Sequence, residues 1–440
     1  MLVSFYWGVA TSTIFWAALL FFPPSVAALE RLGRRHTIFY LYSGLVIAGS
    51  VSQFLCVPMA SIWHSDRPSY LTRETPLLLG RALVGAGFVS ANFQPNYILE
   101  CFVESPLAGA FSILPLTGVA TFTAVGALVG SPALFGEAHN WHYGFLVAVP
   151  ATTTREVDKA KKSAQFYTAG TVDWGKLINE YEKEMEATST AHLRVCSLWR
   201  LAHYRMPILI TLVLSCCVAF SEGDVADQYA VEIVYANGTG GIDRPIVSLI
   251  NGTLLQGISV AATLVTAILV DRVRRRPFLL IGVGAGSLGT LMLTLRYVAH
   301  LREPSFAWLR SSTTVGGLLF CGFAMYVNLG LQPIFVDEAV TQRIRTFTYL
   351  LSRTIQDVLS GLAVLLYPLT VHSLGAGFFH GTMFVLCSLC FLWLCLRLPE
   401  TKGKSMVQVL SHWTRFDDVV RVEEECQPLL VRPLKPPSVL

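Results

Sequence analysis

Mostly apolar stretches separated by short polar segments occupy positions 3–29, 37–60, 77–99, 107–134, 206–222 with an extension toward 236, 246–270, 277–299, 308–336, 346–371 and 374–398, with a stub at 141–150. A helix rising 1.5 Å per residue needs about 20 such residues to cross roughly 30 Å of hydrocarbon. Because lipid offers no partner to an unpaired backbone group, runs of this kind predict helices rather than irregular chain. The pattern therefore predicts an all-α polytopic membrane protein with ten spans. Its one long interruption, 151–205, carries Arg155, Glu156, Asp158, Lys159, Lys161 and Lys162, then Glu180-Tyr181-Glu182-Lys183-Glu184, and predicts a charged, helix-prone loop between two membrane halves. The expected units are a lobe at 1–150, a loop at 151–205, a second lobe at 206–398 and a tail at 399–440.

Composition supports the bilayer and narrows the function. The chain is 53% hydrophobic with mean hydropathy +0.53 and only 14% charged, more apolar surface than a soluble 440-residue chain buries. The N-terminus has no basic leader and its first run is too long for a signal peptide, so it is expected to stay as a spanning anchor. If the turn after the first run is cytoplasmic, about 26 of the 33 Lys and Arg fall inside and about 6 outside, which fixes the orientation. The basic residues sit at helix ends without interleaved aromatics, which argues against nucleic-acid binding. No nucleophile, base and orienting group occur together, so an enzyme is not expected. Most of the ten cysteines lie within spans as small apolar residues, and Cys387-x-x-Cys390 has no histidine partner at metal spacing. No metal or other cofactor is expected.

Two clusters repeat. Val26-Ala27-Ala28-Leu29-Glu30-Arg31-Leu32-Gly33-Arg34-Arg35 lies between two apolar runs, and so does Ala267-Ile268-Leu269-Val270-Asp271-Arg272-Val273-Arg274-Arg275-Arg276. Glu30 is 70 positions before Glu100, and Asp271 is 67 before Glu338, so the halves are in register. Only 29 residues precede Glu30, whereas about 65 separate Met206 from Asp271. Likewise 50 residues separate Glu100 from Pro150 and 60 separate Glu338 from Leu398. Relative to two equal six-helix halves, the first helix and most of the sixth are expected to be missing.

These clusters resemble the G-x-x-x-D-R-x-G-R-R loop of the major facilitator superfamily, with Val26 and Glu30 as departures. Gly80-Arg81 with Gly85, and Pro95-Asn96-Tyr97-Ile98-Leu99-Glu100, resemble the G-R-x-x-x-G and P-x-Y-x-x-E elements of its sugar-porter branch. Asp337-Glu338 with Arg343 and Arg345 resembles E-x-x-x-x-R-x-R, and Pro399-Glu400-Thr401-Lys402-Gly403 matches P-E-T-K-G. The resemblance implies the major facilitator fold and a transporter of a small solute, sugar-porter-like, working by alternating access in the lipid bilayer, with a proton or other ion as a candidate coupling partner. Organic-cation or phosphate carriage, and a non-transporting sensor or scaffold, are the competing readings.

The resemblance also implies site residues. Glu30, Arg31, Arg34, Arg35, Glu100, Asp271, Arg272, Glu338, Arg343 and Arg345 correspond to ion pairs that latch the lobes at the inner face; the plainer reading is topology signals in headgroup water. The family's arginine is absent from Pro106-Leu107-Ala108-Gly109-Ala110, which predicts that Glu338 lacks its partner across the interface. Substrate-binding candidates are Asn92, Gln94, Asn96, Asp224, Tyr229, Gln256 and Asp357, each alternatively an interhelical hydrogen bond or an ion pair, as Asp357 with Arg353. Ser221 and Tyr229 fit the sugar-porter element Q-Q-x-S-G-x-N-x-x-x-Y-Y, but Val218 and Ala219 replace its glutamines, Glu222 its glycine and Asp224 its asparagine. Weak hexose binding is expected, with the carboxylates either serving a cation or proton or lying at a solvated helix end. Asn237-Gly238-Thr239 is a glycosylation sequon in an external loop, while Asn251-Gly252-Thr253 lies within a span. Glu425-Cys426-Gln427-Pro428-Leu429-Leu430 resembles an acidic dileucine signal, so the expected location is the plasma membrane or an endosomal or lysosomal membrane.

Overall fold

The computed structural model describes residues 2–32, 37–62, 70–92, 94–101, 107–129, 202–235, 244–298, 307–340, 342–404, 408–409 and 412–413. Arg34, Arg35, Asn237, nearly all of the 151–205 loop and the dileucine segment lie outside these residues, as do the side chains of Glu30, Glu100 and Arg343. Every element found is helical. In chain order they are α1 (Leu2–Leu32), a π-helical turn (Thr37–Leu41) leading into α2 (Tyr42–Ile62), α3 (Tyr70–Ala91), α4 (Gln94–Cys101), α5 (Ala108–Val129), α6 (Ala202–Phe220), α7 (Gly223–Tyr235), α8 (Arg244–Leu269), α9 (Arg275–Val298), α10 (Ala307–Ala339), α11 (Gln342–Ser373) and α12 (Ala376–Arg397). Eight stretches among the described residues are long and apolar enough to span; α2 and α8 contribute the shorter apolar segments Tyr42–Cys56 and Leu254–Leu269. All ten expected runs are thus helical, and Asn251 falls inside α8.

Two spans are broken, one in each half. Asn92 N–H closes α3 on Phe88 O, and Pro95, which has no N–H to leave unsatisfied, sits in the first turn of α4. The second break, at Ser221-Glu222, separates α6 from α7. There Ser221 Oγ donates to Val218 O, and Glu222 takes φ 60°, a left-handed conformation that costs a non-glycine residue energy. By contrast, Pro23-Pro24 lies inside an unbroken α1, although proline within a helix commonly kinks or breaks it. Phe22, Val26 and Leu29 on either side of it pack with Tyr97 against buried Leu350 of α11, and this packing holds the helix through the prolines.

The halves pack alike. In the first, α3 lies between α1 and α2; in the second, α10 lies between α8 and α9. Between them α1 packs on α11 and α8 on α5, the same pairing read in both directions, which is an approximate two-fold. The glycines repeat it. A Cβ on Gly49 of α2 would sit 2.6 Å from Gly80 O of α3, and one on Gly289 of α9 would sit 2.9 Å from Gly317 O of α10. Both crossings bring backbones into contact, the use small residues have in membrane bundles. Large apolar side chains such as Leu20, Phe122, Ile268, Ile281, Leu389 and Leu396 point outward, where lipid replaces water. The α1–α11 seam is closed along its length: Gly8 faces Leu365 and Pro368 at one end, Gly361 faces Phe15 in the middle, and Leu350 packs on α1 at the other end.

Candidate functional site

Two polar layers cross the interface between halves. The first is the charged end, where α8 turns into α9 and α12 gives way to the tail. Asp271 accepts a hydrogen bond from Ala110 N–H across the interface, Oδ2 at 3.0 Å, so a carboxylate of the second half caps the first turn of α5. The positive end of a helix dipole favours such a charge. A Cβ on Gly109 would collide with the same carboxylate, so this approach requires glycine there.

Buried Arg275 then ties the cluster together: its guanidinium lies 3.1 Å from Glu338 and 3.6 Å from Asp271, and its backbone N–H donates to Glu400 Oε1 at 2.9 Å. Thr401 Oγ1 donates to Glu338 Oε2, and Lys402 Nζ donates to Asp271 O at 2.9 Å. Arg345 pairs with Asp337 at 2.7 Å, while Arg272 is exposed. Glu338 is therefore partnered within its own half, by Arg275 and Thr401, while the start of α5 meets the second half through the Ala110 N–H to Asp271. Arg275, Glu400, Thr401 and Lys402 were not singled out by the sequence, although all four lie inside its quoted motifs.

The second layer lies deeper. Asp224 of α7 accepts from Ser360 of α11, and Asp227 of α7 accepts from Gln256 of α8 at 3.2 Å. Arg353 of α11 donates to Gln356 at 2.9 Å and, across the interface, to Asn92 at 3.4 Å. It stays within electrostatic reach of Asp224 and Asp357, and Asp224 and Asp227 also act on each other. Tyr326 of α10 reaches Thr123 of α5 from the same region. Four candidates, Asn92, Asp224, Gln256 and Asp357, thus meet in one seam. These carboxylates are half-buried or partnered, not arrayed on a solvated helix end.

The other candidates lie elsewhere. Tyr229 is fully buried, donates to Val364 O at 3.2 Å and meets Thr11 Oγ1 of α1 at 3.3 Å, so it ties α1, α7 and α11 together. Gln94 and Asn96 are on α4 beside Tyr97, which packs at the closed inner ends of α1 and α11; Asn96 is buried with its amide unpartnered among the described residues. Arg81, a charge within a span and so a functional suspect from sequence alone, donates to Ala10 O and Thr11 O of α1 at 3.2 and 3.3 Å and acts electrostatically on Tyr229. Gln332 of α10 bridges Ser215 of α6 and Ser352 of α11. Neither Gln332 nor Tyr326 carries a sequence signal that separates it from other polar residues in spans.

This arrangement has relatives. The model of the family described as Sugar (and other) transporter matches residues 144–413. Facilitated glucose transporter member 3 of Ovis aries is 25% identical over 406 residues, covering 87% of this chain and 76% of that one. Member 2 of the same solute carrier family from Mus musculus is 27% identical over 367 residues, covering 77% and 66%. Among solved structures, the xylose transporter XylE from E. coli in its inward-open conformation superposes with TM-score 0.64 at 17% identity over 92% of this chain and 89% of that one. The proton:xylose symporter XylE bound to 6-bromo-6-deoxy-D-glucose gives 0.65 at 16% identity over the same shares. With more than half its length matched by the family model and the major facilitator fold in its helices, this chain belongs to the Sugar (and other) transporter family, whose members are membrane carriers and not enzymes.

Proposed function

We propose that the solute of this carrier is a polyhydroxylated molecule of sugar size that binds in the seam of Asn92, Asp224, Asp227, Gln256, Arg353 and Asp357 and moves together with a proton. The observation that carries this reading is the balance of the seam: three carboxylates and one guanidinium, with the carboxylates Asp224 and Asp227 held by Ser360 and Gln256 and with Arg353 reaching Asn92 across the two halves. Carboxylates are strong acceptors for sugar hydroxyls. A neutral sugar entering a dehydrated seam leaves their charge uncompensated, and an accompanying proton removes part of that cost. The missing glutamines weaken recognition: each polar contact left unmade to a dehydrated hydroxyl costs roughly 1–3 kcal/mol. Alternation of access follows from the two-fold, since the α1–α11 and α5–α8 pairings are the surfaces on which one half rocks against the other. In this reading the charged layer at Asp271 and Arg275 latches the inner side.

The test is uptake of labelled D-glucose into proteoliposomes. Uptake should rise when the outside is acidified, collapse with a protonophore, and fall about tenfold or more in Asp357→Asn, the scale of one charge-assisted contact. Uptake that ignores pH and survives Asp357→Asn overturns the reading. The excess of carboxylate favours one second reading, an organic cation that brings its own positive charge; tetraethylammonium entering in place of glucose would select it.

A further inference from the structure

The substituted glycine of the α6–α7 break has a partner at a distance. Glu222 and His380 of α12 are both essentially sealed from the outside, at 1% and 0% exposure, and Glu222 Oε2 lies 2.6 Å from His380 Nδ1. Neither Oε1 of Glu222 nor Nε2 of His380 has a hydrogen-bond partner among the described residues. Two ionisable side chains are therefore buried in the lobe core with, among the described residues, only each other as hydrogen-bond partners. Glu222 also holds a left-handed φ of 60°, which a glycine would adopt freely.

Their surroundings are mostly uncharged. The imidazole stacks on Tyr297 of α9 with centroids 5.9 Å apart and meets Tyr367 of α11 and Phe379 of α12. Cys321 of α10 and Cys387 of α12 are within electrostatic reach of Glu222. Charged groups act on the same aromatic rings: Arg296 of α9, whose guanidinium lies 4.6 Å over the Tyr297 ring and donates to Ile233 O, and Glu232 of α7, which reaches Tyr367.

We propose that the Glu222–His380 pair is a proton-binding site whose occupancy fixes the start of α7 to α12. With one proton, Nδ1–H donates to the carboxylate and the pair carries a net negative charge in the core. With a second proton the imidazolium and carboxylate cancel, and burial becomes cheaper. Loss of that proton leaves a buried net charge that draws water toward the break and weakens the contact holding Glu222 in its strained conformation from a charge-paired bond to a single Nδ1–H donation. Because α7 begins at Gly223 and carries Asp224 and Asp227, the proton state here decides how firmly those groups are held in the seam.

Hydrogen–deuterium exchange of the full chain in lipid nanodiscs tests this without requiring transport, so its outcome is separate from that of the uptake assay. Corrected for intrinsic rates, protection of peptides spanning 221–235 should fall as pH rises from 5.5 to 8.5, by up to about tenfold per pH unit across the transition for one linked proton. Glu222→Gly with His380→Phe restores the glycine and supplies an apolar ring to the aromatic surroundings, so it should fold, with protection in this segment independent of pH. Glu222→Gln alone should remove the pH response while lowering protection throughout. A flat wild-type profile, or a pH response retained in the double variant, overturns the proposal.

Discussion

Asp271→Ala perturbs a contact by which a side chain of the second half caps a helix of the first. The capping bond from Ala110 N–H contributes roughly 0.5–2 kcal/mol, and the interaction of the carboxylate with the α5 dipole adds about 0.3–1. Arg275 keeps its 3.1 Å contact with Glu338, so the cluster does not collapse when Asp271 is shortened. The sum, roughly 1–3 kcal/mol, acts only while the inner face is closed and shifts the equilibrium toward opening by about 5- to 150-fold. Asp271→Asn retains an oxygen acceptor and loses only the charge, so its shift should be the smaller, a few-fold. Electron–electron distance measurements between spin labels at exposed Leu107 and Arg274, in a background with native cysteines replaced, read the two populations directly. A longer inner-face distance should grow in Asp271→Ala, less in Asp271→Asn, and be rare in the parent. Identical distributions in all three, or equal shifts in the two variants, would refute the latch.

The two glycine crossings should respond alike. Gly49→Val and Gly289→Val each force a side chain into a backbone less than 3 Å away, costing about 1–3 kcal/mol or more, and both should lower the unfolding temperature in detergent while a lipid-facing change such as Leu389→Val does not. Replacing Leu429 and Leu430 by Ala should move a tagged protein from endosomal membranes to the cell surface; an unchanged distribution counts against the sorting signal.

Much of the architecture is written in the chain because the bilayer leaves few alternatives. Apolar run length fixes the helices, the two basic clusters mark the repeat, and the 70- and 67-residue spacings anticipate the two-fold pairing of α1 with α11 and α8 with α5. The motifs also contain the charged cluster of Asp271, Arg275, Glu338 and Glu400, and Asp224, Gln256 and Asp357 were legible as polar groups that lipid would not tolerate.

What the sequence left open was partnership. Only packing decides that Glu338 turns to Arg275 of its own half, that a backbone N–H at the start of α5 meets Asp271, and that Tyr229 is a buried tie between helices. His380 is one histidine in an apolar run until α12 is laid beside the α6–α7 break, where it meets Glu222 158 residues away. Helices form from near-neighbour periodicity, which a sequence displays. The pairing of polar groups depends on which helix faces which, and that is set by glycine contacts and volumes summed over the whole bundle.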